Sequence, residues 1–172
     1  DAGTLKRLDA SLIGGGKIGQ VVSTTKTDTF STTSDSFTDI TGLSVAITPS
    51  ASSSKVLVLV NLGSFVNGYS DGNRRAIGRI LRGSTDIASG DAATGTEATF
   101  VSCLRSNGGT SQQVGVSMNF LDSPSTTSAT TYKVQAARGA DDTGTVYLNR
   151  SGDQNADSAN TVSTITVIEV LA

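Results

Sequence analysis

Residues 55–65 read "KVLVLVNLGSF", and they decide the fold class. Val56, Val58, Val60 and Leu62 recur at every second position, with Leu57 and Leu59 between them. Side chains on a strand alternate between two faces, so a period of two predicts a strand rather than a helix. Apolar residues on both sides of its first half predict burial of both faces there. Val58, in the middle, is expected in the core.

The same rhythm continues outward in both directions. Upstream, "KIGQVVST" (17–24) reads as a strand. "FTDITGLSVAITP" (37–49) alternates at Leu43, Val45 and Ile47, with Thr41-Gly42 as a turn and Pro49 as its stop. Downstream, the Asp-Gly of "YSDGN" (69–73) marks a turn. "RRAIGRILRGSTDI" (74–87) then places Ile77 and Leu81 in alternation with Arg75 and Arg79. "EATFVSCLR" (97–105) and "QVGVSMNFLD" (113–122) are strands on either side of the glycine-rich "SNGGTSQ". Tyr132, Val134 and Ala136 alternate in "TTYKVQAARG" (130–139), "TVYLNR" (145–150) is short, and "TVSTITVIEV" (161–170) is a β-branched terminal strand. Roughly eight to ten short strands at this spacing predict an all-β, antiparallel sandwich of jelly-roll type, with the C-terminal strand inside a sheet.

Composition narrows the function classes. Only 16% of the 172 residues are charged, glycine numbers 19, and serine and threonine are abundant, as suits β-strands joined by small-residue turns. A net charge of −2 leaves no basic surplus for nucleic acid or an anionic membrane surface, and no apolar run is long enough to span a bilayer. Histidine is absent, which excludes Ser-His-Asp and Cys-His catalysis and any histidine-bound metal. Cys103 has no partner for a disulfide and lies in an apolar run, where it reads as a small buried hydrophobe.

Carboxylates offer little chemistry. Asp141 and Asp142 are adjacent, so in extended chain they point apart, and Glu97 and Glu169 each lie in or beside a strand. No enzyme activity and no cofactor are expected. "DQNAD" alternates Asp153, Asn155 and Asp157 like a calcium loop, but it lacks the glycine and distant glutamate of an EF-hand and reads as a solvated turn. Asn149-Arg150-Ser151 matches a glycosylation sequon and reads as fortuitous. Arg74, Arg75, Arg79 and Arg82 read first as structural pairs with aspartates and carbonyls, and second as contacts to an anionic polysaccharide.

Residues 1–16 differ from the rest. Leu5, Leu8 and Leu12 recur at helical spacing on a segment too short to be a stable free helix, and Gly14, Gly15 and Gly16 follow. They read as an attachment segment and hinge, with residues 17–172 as the head. The opening Asp1 leads us to expect a processed piece of a longer polypeptide.

The stretch from Gly14 to Leu62, "GGGKIGQVVSTTKTDTFSTTSDSFTDITGLSVAITPSASSSKVLVLVNL", and the ending "STITVIEV" resemble bacteriophage virion proteins. Such modules recur at the C-terminal ends of predicted tail fibres of marine and cyanobacterial phages. Between them the likeness is one of rhythm, in "RILRG" and "FLDSPSTTSATTYKV". The resemblance implies an antiparallel jelly-roll head, assembled as a homotrimer, at the distal end of a fibre. It implies a receptor-binding tip for a host-surface glycan. The alternative is a capsid decoration or cement protein clipped to the shell, and to other virion proteins, by its N-terminal segment. It transfers no site residues. From the turns themselves, Tyr69, Asp71, Asn73, Asn107, Asp141, Asp142, Asp153 and Asn155 are the candidate surface-loop contacts.

Overall fold

The computed structural model describes residues 17–68, 74–92, 98–104, 113–140, 142–154, 156 and 158–172, and for Lys17, Cys103 and Leu104 the backbone alone. Among these residues the chain is all-β, with twelve strands and no helix. They are β1 (Lys17–Lys26), β2 (Phe30–Thr32), β3 (Thr38–Ile47), β4 (Lys55–Leu62), β5 (Phe65–Asn67) and β6 (Arg75–Arg82). The second half adds β7 (Thr85–Asp86), β8 (Val101–Leu104), β9 (Val116–Asp122), β10 (Thr130–Arg138), β11 (Val146–Leu148) and β12 (Ser163–Leu171). The excess over the expected count comes from two- and three-residue strands, which are too short to show a period.

Every pairing is antiparallel. One sheet runs β1-β12-β4-β9, and a second runs β3-β10-β6-β7 with β8 also on β6. A small third sheet, β2-β11-β5, adds to them. The inward positions of the two larger sheets form one core. Val58, Val60, Ile165 and Val167 come from the first, and Leu43, Val45, Tyr132 and Val134 from the second, all in one buried cluster. Phe65 and Leu148 of the small sheet join the same cluster. The result is a sandwich-like fold. β12 alternates strictly, with Ser163, Ile165, Val167 and Glu169 buried, and lies between β1 and β4.

Three expectations need correction. Thr41-Gly42 does not reverse the chain. It forms a bulge within β3, where the register against β10 shifts between Lys133 and Gln135 and Gly42 takes a φ of 82°. Ile40 and Leu43 both reach the core, and the two residues between them are the bulge. The second face of β4 is not buried within the chain, because Leu57 and Leu59 are only half-buried. Lastly, β6 is buried on both faces: Ala76 and Ile80 enter the central core, while Ile77 and Leu81 are buried on the side that carries Arg79.

Candidate functional site

The strand registers give the molecule two distinct ends. At one end Lys17 pairs with Leu171, Val170 with Lys55, and Val56 with Asp122. At the other, Lys26 pairs with Ser163, Leu62 with Val116, and Arg75 with Leu104. A nine-residue strand such as β12 separates the ends by about 30 Å.

The second end carries the long connections 105–115 and 149–162 with the seven-residue 68–74 and 139–145. Seven-residue connections, 48–54 and 123–129, also close the Lys17 end, and the long run 87–100 joins β7 to β8. Gly68 and Arg74, Leu104 and Gln113, Ala140 and Asp142, and Gln154 and Ser158 all border segments that leave strands there. Tyr69, Asp71, Asn73, Asn107, Asp141 and Asn155 fall in those segments and lie outside the described residues, as do Leu5, Leu8 and Leu12 and the whole of 1–16. Of the eight loop candidates, Asp142 and Asp153 are described.

Asp142 is not presented to solvent. It is 7% exposed, and its Oδ2 accepts the main-chain N–H of Arg75 at 2.7 Å and Arg75 Nε at 3.2 Å. Its own N–H donates to the Gly139 carbonyl at 2.9 Å, closing a tight turn. A Cβ on Gly139 would run into the Asp142 carboxylate and the Arg75 guanidinium, so glycine is what lets the ion pair close. Asp142 is therefore a structural brace under the loops, which the adjacent acids in the sequence do not reveal. Asp153 is half-buried, and its main-chain carbonyl accepts from the hydroxyls of Ser151 and, at 2.8 Å, Ser158.

Two buried amides hold this end together. Asn67 Nδ2 donates to the carbonyls of Arg75 and Thr143, each at 3.2 Å. Asn149 sits at a φ of 63° and is fully buried. Its Nδ2 donates to the carbonyls of Lys26 and Asp28, each at 3.0 Å, and its Oδ1 accepts from Ser163 Oγ at 2.6 Å. Its main chain bonds to Ser64 and Thr161. One side chain thus ties the end of β1, the end of β11 and the start of β12. The sequon asparagine has no atom left for a glycan.

The arginines of β6 are paired across strands. Arg79 Nε donates to Gln135 Oε1 at 2.9 Å, lies 3.6 Å from Asp86, and stacks 4.1 Å over the Phe37 ring. Arg82 Nη1 donates to both oxygens of Asp122, at 2.8 and 2.9 Å, at the Lys17 end. With Arg75 on Asp142, these three follow the structural reading of the cluster. Near the loops, Arg150 stacks 4.5 Å over the Tyr147 ring, and Gly68 packs so closely on that ring that a Cβ would collide with it.

Among the described residues, no three Cys, Asp or Glu side chains gather as a metal ion would need, and no helix is long and apolar enough to cross a membrane. Of the other carboxylates weighed for chemistry, Glu97 and Asp141 lie outside the described residues, and Glu169 is buried at the Lys17 end, the length of the sandwich from Asp142. No protein-family model matches the chain, and no curated protein sequence matches it either.

Proposed function

We propose that this chain is the head of a bacteriophage virion appendage: a fibre-tip protein that binds a host-surface glycan. The observation that carries the reading is polarity. β1 begins at one end of the sandwich, which is where the attachment segment 1–16 joins it, while the long connections 105–115 and 149–162 leave from the other end. A head tethered at one end and reading a surface with the opposite end needs this arrangement. The buried amides and the Arg75–Asp142 brace give those connections a fixed base.

The head is a jelly roll in this reading. The strand order supports it: β1-β12-β4-β9 in one sheet, β3-β10-β6 with β7 and β8 in the other, and successive strands crossing between them. The head is a homotrimer, for which the half-buried Leu57 and Leu59 supply apolar surface beyond the needs of one core. No hydrolytic role is assigned, since Asp142 is engaged by Arg75 and lies far from Glu169.

The test is binding of the full chain to an array of bacterial surface polysaccharides, with Tyr69→Ala and Asn73→Ala beside it. Binding by the wild type that falls in the variants at unchanged melting temperature supports the reading. Absence of binding from the whole array, with incorporation into particles intact, would overturn it in favour of a shell-decoration protein.

A further inference from the structure

The outward-facing side of the β1-β12-β4-β9 sheet carries a pattern that the single chain does not use. Val21 pairs with Ile168, Ile168 with Leu57, and Leu57 with Leu121, so one apolar row crosses all four strands. Val21 is 59% and Leu121 47% exposed, and at the neighbouring position Ile18, 66% exposed, pairs with Val170. Toward the loop end the rows turn polar and stay neutral: Ser23, Thr166, Leu59 and Asn119, then Thr25, Thr164, Asn61 and Ser117. Among the described residues of this face, Lys55 at the rim is the one charge.

We propose that this face is the contact surface between copies of the chain, with their strands running in the same direction about a shared axis. The inference rests on the homotrimer reading above and adds the surface and its polarity. Three features single out a second copy as the occupant. The face is neutral, so two copies meet without burying like charges, whereas an oppositely charged partner finds nothing to pair with. Its zoning fixes direction. Parallel copies put apolar row on apolar row and hydroxyl or amide on its like, while antiparallel copies in full overlap would press Leu57 and Ile168 onto Thr164 and Asn61. The remaining antiparallel option, contact through the apolar ends alone, is excluded by a three-fold axis, which gives every copy the same direction along it. Four strands about 4.8 Å apart and eight residues long give a footprint of about 500 Å², which side-chain relief brings near the ~800 Å² per partner of stable complexes. Around a three-fold axis each copy shares that area between its two neighbours.

Sedimentation velocity on the full chain at micromolar concentration tests this. The wild type is expected to be oligomeric. Val21→Lys with Leu121→Lys, both at positions exposed in the single chain, should give a monomer with an unchanged β circular-dichroism spectrum, the dissociation constant rising about 100-fold or more. Asn61→Lys, in the polar zone, should raise it about tenfold, because the parallel arrangement buries that position and contact through the apolar ends alone leaves it free. Leu121→Gln replaces the double variant if that fails to fold. Wild-type assembly in the face variants would overturn the proposed surface while leaving a trimer formed elsewhere. A monomeric wild type would overturn both, without touching the glycan test. Undiminished assembly of Asn61→Lys beside a monomeric double variant would overturn the parallel arrangement.

Discussion

At the Lys17 end the last inward row of the four-stranded sheet is Glu169, Val56 and Asp122; at the loop end the closing side chains are Asn67 and Asn149. The first closure is made by carboxylates. Asp122 accepts from Arg82 and, at 2.7 Å, from the Tyr132 hydroxyl, joining the two sheets. Burial and the neighbouring Asp122 push the Tyr132 pKa far up, so that hydroxyl stays a donor throughout the working range. To the Arg75–Asp142 pair, the second closure adds neutral amides that bond main-chain carbonyls. The difference follows from what crosses each end. At the Lys17 end the two-residue turn 83–84 follows Arg82, and the 48–54 connection presents the Ser50 hydroxyl to Glu169. At the loop end the amides satisfy main-chain carbonyls at the feet of the connections.

The sharpest way to break this contrast is to remove what the ends share. Val58 is fully buried midway between them. Val58→Asp would bury a carboxylate with no partner, costing several kcal/mol, about as much as a domain of this size has in reserve. Loss of cooperative unfolding in a denaturant titration is expected. A midpoint near wild type would mean that the inward face of β4 has been misassigned.

Asn149→Ala ranks next. It deletes three side-chain hydrogen bonds, strands the carbonyls of Lys26 and Asp28, and leaves a φ of 63° that alanine adopts poorly. About 3 kcal/mol should be lost. Amide exchange should rise at the loop end, in β11 and the start of β12, while the β4–β9 pairing near Val56 keeps its protection. Uniform loss of protection would show that the two ends open together. Asp122→Ala is the matching experiment below. It leaves Arg82 and Tyr132 without their acceptor, and because Arg82 is part-exposed and can turn to water, about 2 kcal/mol is expected.

The core was legible because a period of two is a local signal. Val56, Val58 and Val60, and Tyr132, Val134 and Ala136, are buried as their alternation demands. Thr41-Gly42 misled because a turn and a bulge make the same demand, a glycine at positive φ. Only the partner strand β10 decides between them. The pairing habit of the β6 arginines was readable, but not their partners, Asp142, Asp86 and Asp122, which lie on other strands and loops. Asn149 was hidden entirely. It reaches carbonyls 121 and 123 residues earlier in the chain, and nothing in its own neighbourhood distinguishes it from a surface sequon. Polar residues that close an end act through chain-distant contacts, so they escape pattern reading in a way that strand faces do not.

The smallest effect is the response of Glu169, at the Lys17 end, to acid. Glu169 is 1% exposed, and Oε1 accepts the Ser50 hydroxyl at 2.7 Å and the Ser50 N–H at 2.6 Å, while Oε2 accepts from Gln20 at 3.1 Å. The Ser50 hydroxyl first, and then its N–H, hold the Glu169 carboxyl below its ordinary pKa of 4.5 against the opposing effect of burial. A carboxylate depressed in the folded state adds stability that is complete above the unfolded value. That stability is lost as pH falls through the folded value. Melting temperature should therefore drop as pH is lowered from about 4.5, and Glu169→Gln, which cannot titrate, should flatten part of that drop by a few degrees. Asp39, held down by Lys133 and Gln135, and Asp28, held down by Lys26 at the loop end, contribute with the same sign, so the readout is the difference between wild type and variant. Asn149→Ala, which removes no titrating group, should melt lower at every pH with an unchanged slope. Parallel acid profiles for wild type and Glu169→Gln would mean that Ser50 does not grip the carboxylate.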